Sequence, residues 1–149
     1  MSKKEVSDEH KEQEGDPKIR GKRRARAAKL AKQRAVAEVK NATVLIVNPT
    51  HIAIALRYEP GKDGAPLVLA KGQDELALTM RAEARTRRVP IVENRPLARA
   101  MFASAKAGRT IPVELYEAVA GVIAHVMRIR GVLPASAAPA ANPRPPGLS

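Results

Sequence analysis

Cysteine is absent from this sequence, so no disulfide, thiolate metal site or cysteine nucleophile can be built. Aromatic residues make up only 2%: Tyr58, Phe102 and Tyr116. Three scattered rings offer no stacking platform for nucleic-acid bases. The core therefore has to come from Val, Ile, Leu, Ala and Met. No apolar run approaches the ~18 residues needed to span a bilayer. Met1 to Asp16 is charged throughout and lacks the apolar core of a signal peptide. Acidic residues are also scarce, with 15 Asp or Glu against 27 Lys or Arg and a net charge of +12. For 149 residues at 44% hydrophobic content, the expectation is one soluble, cytoplasmic domain with polar ends. Its positive charge points to an anionic partner: nucleic acid, an anionic membrane surface or an acidic protein.

Three segments follow from composition. Residues 1–40 are charged. Lys18 to Arg34 holds nine Lys or Arg and no acid, in an Ala-rich context that favours helix. Gly15-Asp16-Pro17 divides this region, and Pro17 is placed to start its second helix. A long, solvated helical arm is expected. Residues 41–131 carry the globular pattern. Thr43–Val47 and Ile52–Tyr58 read as strands, with Ile52, Ile54 and Leu56 on one face and Ala53 and Ala55 on the other. Glu59 to Pro66 is a turn by composition, and Leu67–Ala70 a third strand. Asp74 is placed to cap a helix reaching about Arg88, with Leu76, Met80 and Ala84 as its stripe. Val89–Val92 reads as a strand with Pro90 at its start or edge. Leu97 to Ala107 reads as a helix that Gly108 ends. Pro112 to Arg130 reads as a last helix, with Leu115, Val119, Val122, Ile123 and Val126 on one face. Residues 132–149 are Pro/Ala-rich and expected to be disordered.

The fold class expected is α/β: a small mixed four-stranded sheet flanked by helices, preceded by the basic arm. The third strand, its helix and the fourth strand form a right-handed parallel crossover in this reading. All apolar faces are needed for the core, so no docking surface stands out.

Asn48-Pro49 is the dipeptide with distinctive chemistry. Asn usually decays when the following backbone nitrogen attacks its side-chain carbonyl. Pro49 has no N–H, so that route is closed. The alternative is attack by the Asn48 side-chain nitrogen on its own backbone carbonyl carbon. A cyclic imide forms, the Pro49 nitrogen leaves, and the chain is cut between the two residues. A tight loop between two anchored strands would hold Asn48 in a strained, near-attack arrangement. His51 is a candidate to help deliver the proton the leaving nitrogen needs. Thr50 is a candidate to hydrogen-bond the loop or the developing oxyanion. The bland alternative is that Asn-Pro merely turns the chain. Pro in the middle of Asn48-Pro49-Thr50 excludes glycosylation.

Asn48-Pro49-Thr50-His51 between two apolar strands resembles the signature of the FlhB/YscU family, the substrate-specificity switch proteins of flagellar and injectisome type III export machines. Further stretches agree. Met1-Ser2-Lys3-Lys4-Glu5-Val6, Asp8-Glu9-His10-Lys11-Glu12 and Glu14-Gly15-Asp16-Pro17 resemble the segment after the family's last membrane helix. Val89-Pro90-Ile91-Val92-Glu93 with Pro96-Leu97-Ala98-Arg99-Ala100, and Ile111-Pro112 with Leu115-Tyr116, resemble later blocks. The likeness runs from about Met1 to Gly131.

The resemblance implies self-cleavage after Asn48 as a single-turnover event, which makes Asn48, Pro49, Thr50 and His51 the candidate site residues. It implies no cofactor and no metal, and two fragments that stay associated. It further implies a place at the cytoplasmic face of the bacterial inner membrane, beside export-gate components. Rod- or hook-type export substrates and a ruler protein are the implied partners. A flagellar protein is favoured over an injectisome one. The Lys18–Arg34 arm is a candidate for anionic lipid contact. The competing class, a basic nucleic-acid-binding module, has the charge but neither aromatics nor a helix-turn-helix signature. His10 and His125 are isolated, with no metal-ligand cluster around either. Gly72-Gln73-Asp74 lacks phosphate-loop spacing. Glu114 and Glu117 are expected to face solvent.

Overall fold

The structure is a computed structural model and describes residues 16–131. Helix α1 (Pro17–Glu38) begins where Pro17 is expected to start it. Asp16 caps it, accepting from the Lys18 N–H at 2.8 Å through its side chain and from the Arg20 N–H at 2.9 Å through its carbonyl. None of its residues is fully buried. The chain divides into two compact units, the first ending at Arg34 and the second beginning at Ala35. The second thus starts a few residues before the boundary expected at Asn41, because Ala35, Val36 and Val39 pack into its core. The expectations for residues 1–15 and for the 132–149 tail lie outside the described residues.

The second unit holds a four-stranded mixed sheet with helices on both faces. Its elements are a 3₁₀ turn (Val39–Asn41), β1 (Val44–Asn48), β2 (Ile52–Arg57), β3 (Leu67–Gln73), α2 (Glu75–Thr86), β4 (Ile91–Glu93), α3 (Arg95–Ser104), a second 3₁₀ turn (Val113–Leu115) and α4 (Tyr116–Ile129). The sheet order is β3-β2-β1-β4. β1 pairs antiparallel with β2 and parallel with β4, and β2 pairs antiparallel with β3. β3 and β4 therefore run parallel, as expected, but as the two edges of the sheet. The connection through α2 passes over β2 and β1.

Strand alternation sorts the apolar side chains into two cores. Val44, Ile46, Ile52, Ile54, Leu56 and Val68 meet Leu97, Met101, Val119, Ile123 and Val126 of α3 and α4. Leu45, Val47, Ala53, Ala55 and Ala70 meet Ala77, Met80 and Ala84 of α2, together with Val39. The small Ala face of β2 is the one on which α2 lies. β1 is buried along its whole length, as a strand covered on both faces must be.

Element ends differ from expectation where packing extends or local chemistry stops them. β3 runs on to Gln73 because β2 offers pairing partners through Ile52. α3 stops at Ser104, before Gly108; Asn94 caps its start by accepting the Leu97 N–H at 3.1 Å. Asp74 stands at the N-cap position of α2 but makes no side-chain cap hydrogen bond, because its backbone is at φ 54, ψ −120.

Two local devices hold the sheet edges. Asp63 accepts from Arg57 Nε and Nη2 at 3.2 and 2.9 Å and from the Glu59 N–H at 2.8 Å, closing the β2–β3 connection. The Arg57 hydrogen bond first, and the Glu59 N–H next, hold the Asp63 carboxyl below its ordinary value. Gly72 of β3 faces α2. A Cβ there would lie 2.5 Å from Met80 Sδ and 2.8 Å from Leu76 Cγ.

Two expectations follow. Gly72→Ala should destabilise the domain by about 1–3 kcal/mol through overpacking, read as a lower urea midpoint. Asp63 has a depressed folded-state pKa, so its contribution is present above the ordinary carboxylate value of about 3.9. It is lost as pH falls through the lower folded value. The stability advantage of wild type over Asp63→Asn should therefore hold at neutral pH and shrink on acidification below about pH 4, measured by urea titration across pH.

Candidate functional site

Asn48 is the last residue of β1 and pairs with Ile52, the first residue of β2. Pro49, Thr50 and His51 make the whole connection. The His51 N–H donates to the Asn48 carbonyl at 3.0 Å. This i to i+3 bond, with Pro at the second position and a positive φ at the third, matches a type II turn. That third position normally takes glycine. Here Thr50, a β-branched residue, sits at φ 69, a conformation that costs roughly 1–2 kcal/mol for an L-residue. Sheet pairing on both sides keeps the turn from relaxing.

The hydrogen bond is accepted by the oxygen of the carbonyl whose carbon would be attacked. It polarises the carbon and would strengthen as negative charge develops on the oxygen. The donor is the His51 amide. Thr50 is exposed, and among the described residues its hydroxyl makes no hydrogen bond. Asn48 is 6% exposed and the only buried polar residue described. Among the described residues its carboxamide makes no side-chain hydrogen bond, and its polar atoms keep solvent contact. Its nitrogen is thus not held by a competing partner. Alternation places Asn48 on the Val44–Ile46 face, against the α3 side of the sheet. There the Asn94 N–H donates to the Val47 carbonyl at 3.0 Å and fixes the residue before it.

The other side of the turn is fixed from α2. The Asp74 N–H donates to the His51 carbonyl at 2.9 Å. His51 Nδ1 lies 4.0 Å from Asp74 Oδ1, with the two side chains 68% and 72% exposed. All four residues expected at the site therefore lie in one turn, Asn48 buried, Pro49 half-buried, Thr50 and His51 in solvent. Asp74 joins them through the fold, and nothing in its sequence neighbourhood marks it as other than a helix cap. His125, Glu114 and Glu117 are exposed and apart from this turn.

A second surface feature escaped the sequence reading. A groove of about 330 Å³ is lined by Tyr58, Pro66, Tyr116, Ala120, Ile123 and neighbouring residues, and so holds two of the three aromatic residues. They converge from the β2–β3 connection and α4, which are far apart in the chain.

Comparison with known proteins adds to this geometry. A family model described as "FlhB HrpN YscU SpaS Family" matches residues 1–126. The flagellar biosynthetic protein FlhB of Aquifex aeolicus is 46% identical over 127 residues, 85% of this chain and 36% of that protein. The hypersensitivity response secretion protein HrcU of Ralstonia nicotianae is 44% identical over 145 residues, 97% of this chain and 39% of that protein. The chain thus spans little more than a third of the length of these relatives. The crystal structure of the cytoplasmic domain of FlhB from Shewanella putrefaciens aligns with a TM-score of 0.61 at 42% identity, covering 65% of this chain and 78% of that one.

The strain at Thr50 is directly measurable. In a chain kept uncleaved by Asn48→Ala, Thr50→Gly should raise stability by about 1 kcal/mol, seen as a higher denaturation midpoint with an unchanged slope.

Proposed function

This chain belongs to the FlhB/HrpN/YscU/SpaS family of type III export proteins, and from that premise we propose that it is an export-switch domain that cuts its own backbone between Asn48 and Pro49. The observation that carries this reading is the Asn48 carbonyl. It sits at the end of a buried strand, held by the His51 N–H at 3.0 Å, in a turn strained at Thr50.

In the proposed reaction the Asn48 side-chain nitrogen bonds to the Asn48 carbonyl carbon. The bond from that carbon to the Pro49 nitrogen breaks. The side-chain nitrogen gives up one proton and the Pro49 nitrogen gains one, so the products are a C-terminal cyclic imide and a free prolyl N-terminus. Water then opens the imide. Pro49 supplies a leaving nitrogen that has no N–H for the competing decay route. The His51 amide stabilises the oxyanion. The His51 imidazole, on the solvent side of the turn, is the proton carrier. The event happens once per chain and is not turnover.

The fragments would remain together. β1 lies in the middle of the sheet, and Val44, Leu45, Ile46 and Val47 are at most 1% exposed. Each such side chain is worth about 1.5–3 kcal/mol of burial. Cleavage would free the turn and leave the sheet, changing only the local surface offered to partners.

That surface serves switching between early and late export substrates at the cytoplasmic face of the inner membrane, where a ruler protein and other export-gate components meet it. The groove between Tyr58 and Tyr116 suits a short apolar segment of an export substrate. The Lys18–Arg34 arm, on α1, suits anionic lipid headgroups. A flagellar machine is the first reading, supported by the FlhB relatives. The injectisome reading is favoured by one observation, the HrcU likeness that covers 97% of the chain.

Pulse-labelled synthesis of the chain, chased and then denatured, tests the reaction. Wild type should yield two fragments, one ending at Asn48 and lighter by one water while the imide survives, the other starting at Pro49. Asn48→Ala should stay whole with its fold intact, and Pro49→Ala should cleave more slowly. A wild-type chain that stays in one piece, or an Asn48→Ala chain that splits at the same bond, defeats the mechanism.

A further inference from the structure

Asp74 occupies an N-cap position without doing what an N-cap Asp does. Its side chain accepts no hydrogen bond from the first turn of α2, and its φ of 54 with ψ −120 is a backbone region that favours glycine. The Asp74 carbonyl accepts the Leu78 N–H at 3.1 Å, so the helix still starts there. The pairing with His51 is too exposed to stabilise the fold appreciably. A strained backbone in a non-glycine residue is a ground for asking what function it serves.

What this strained residue does hold is the cleavage turn. Its N–H fixes the His51 carbonyl at 2.9 Å, and the next amide, His51 N–H, is the donor on the Asn48 carbonyl at 3.0 Å. Its carboxylate stands 4.0 Å from His51 Nδ1. We propose that Asp74 is the positioning residue of the cleavage turn, tying His51 to the start of α2 so that the His51 amide stays on the Asn48 carbonyl and the imidazole stays over the turn. The role rests on the cleavage reading. Asp74 touches none of the reacting atoms and acts through His51. The pair is an ion-pair approach at 4.0 Å and not a hydrogen bond, so the carboxylate acts on the imidazole as a nearby charge.

The test is a double-mutant cycle on cleavage rate, with thermal stability measured on uncleaved Asn48→Ala versions of each variant. Chains are made by pulse-labelled synthesis and chased. Asp74→Asn, which keeps shape and backbone N–H, should slow cleavage by about tenfold. In a His51→Ala background, which cleaves more slowly than wild type, it should add no further slowing. Asp74→Gly relieves the backbone strain and should raise Tm while slowing cleavage by at least as much. Three results overturn the proposal: wild-type cleavage rates in Asp74→Asn, equal slowing by Asp74→Asn with and without the His51 imidazole, or an Asp74→Gly chain that is both slower and less stable. If wild type itself does not cleave, the cleavage reading fails and takes this role with it. If wild type cleaves and the cycle is additive, only the role of Asp74 is lost.

Discussion

The candidate site depends on β1 being unable to move. It is paired along one edge with β2 and along the other with β4, and its side chains are buried on both faces. A strand held on four sides fixes its last residue as firmly as its first. Asn48 therefore presents its carbonyl in one place, and the three residues that reverse the chain must fit the gap to Ile52. An exposed turn on a loose hairpin would relax at Thr50. Here the register on both sides forbids it, so the strain is kept.

The same constraint separates chemistry from stability. Breaking the backbone after Asn48 would remove a covalent link, but no apolar contact and no sheet pairing depends on that link. The cores on the two sides of the sheet draw on β1 and on the elements after the turn together. The proposed cleavage would accordingly change a surface and leave the scaffold as it is.

The arm and the sheet domain divide the charge. Helix α1 carries the dense Lys/Arg run and buries none of its residues fully, while the sheet domain carries the apolar burial.

Much of this was legible in the residue order. Alternation at Ile52, Ile54 and Leu56 against Ala53 and Ala55 put the larger side chains toward α3 and α4 and left the small face for α2. The 3.6-residue stripe from Leu115 to Val126 named the inner face of α4. Pro49 after Asn48 marked the dipeptide proposed to react, because what a proline nitrogen lacks is a property of the chain alone. Local covalent chemistry and periodicity are written residue by residue, and so can be read that way. What the sequence left open lies between residues distant along the chain. Placing β3 and β4 at opposite edges, assigning the carbonyl's hydrogen bond to the His51 amide instead of Thr50, turning Asp74 from helix cap to turn anchor, and gathering Tyr58 and Tyr116 into one groove all required the strands to be docked. Hydrogen bonds and burial across a sheet are decided by which elements become neighbours, and only the assembled tertiary structure determines that.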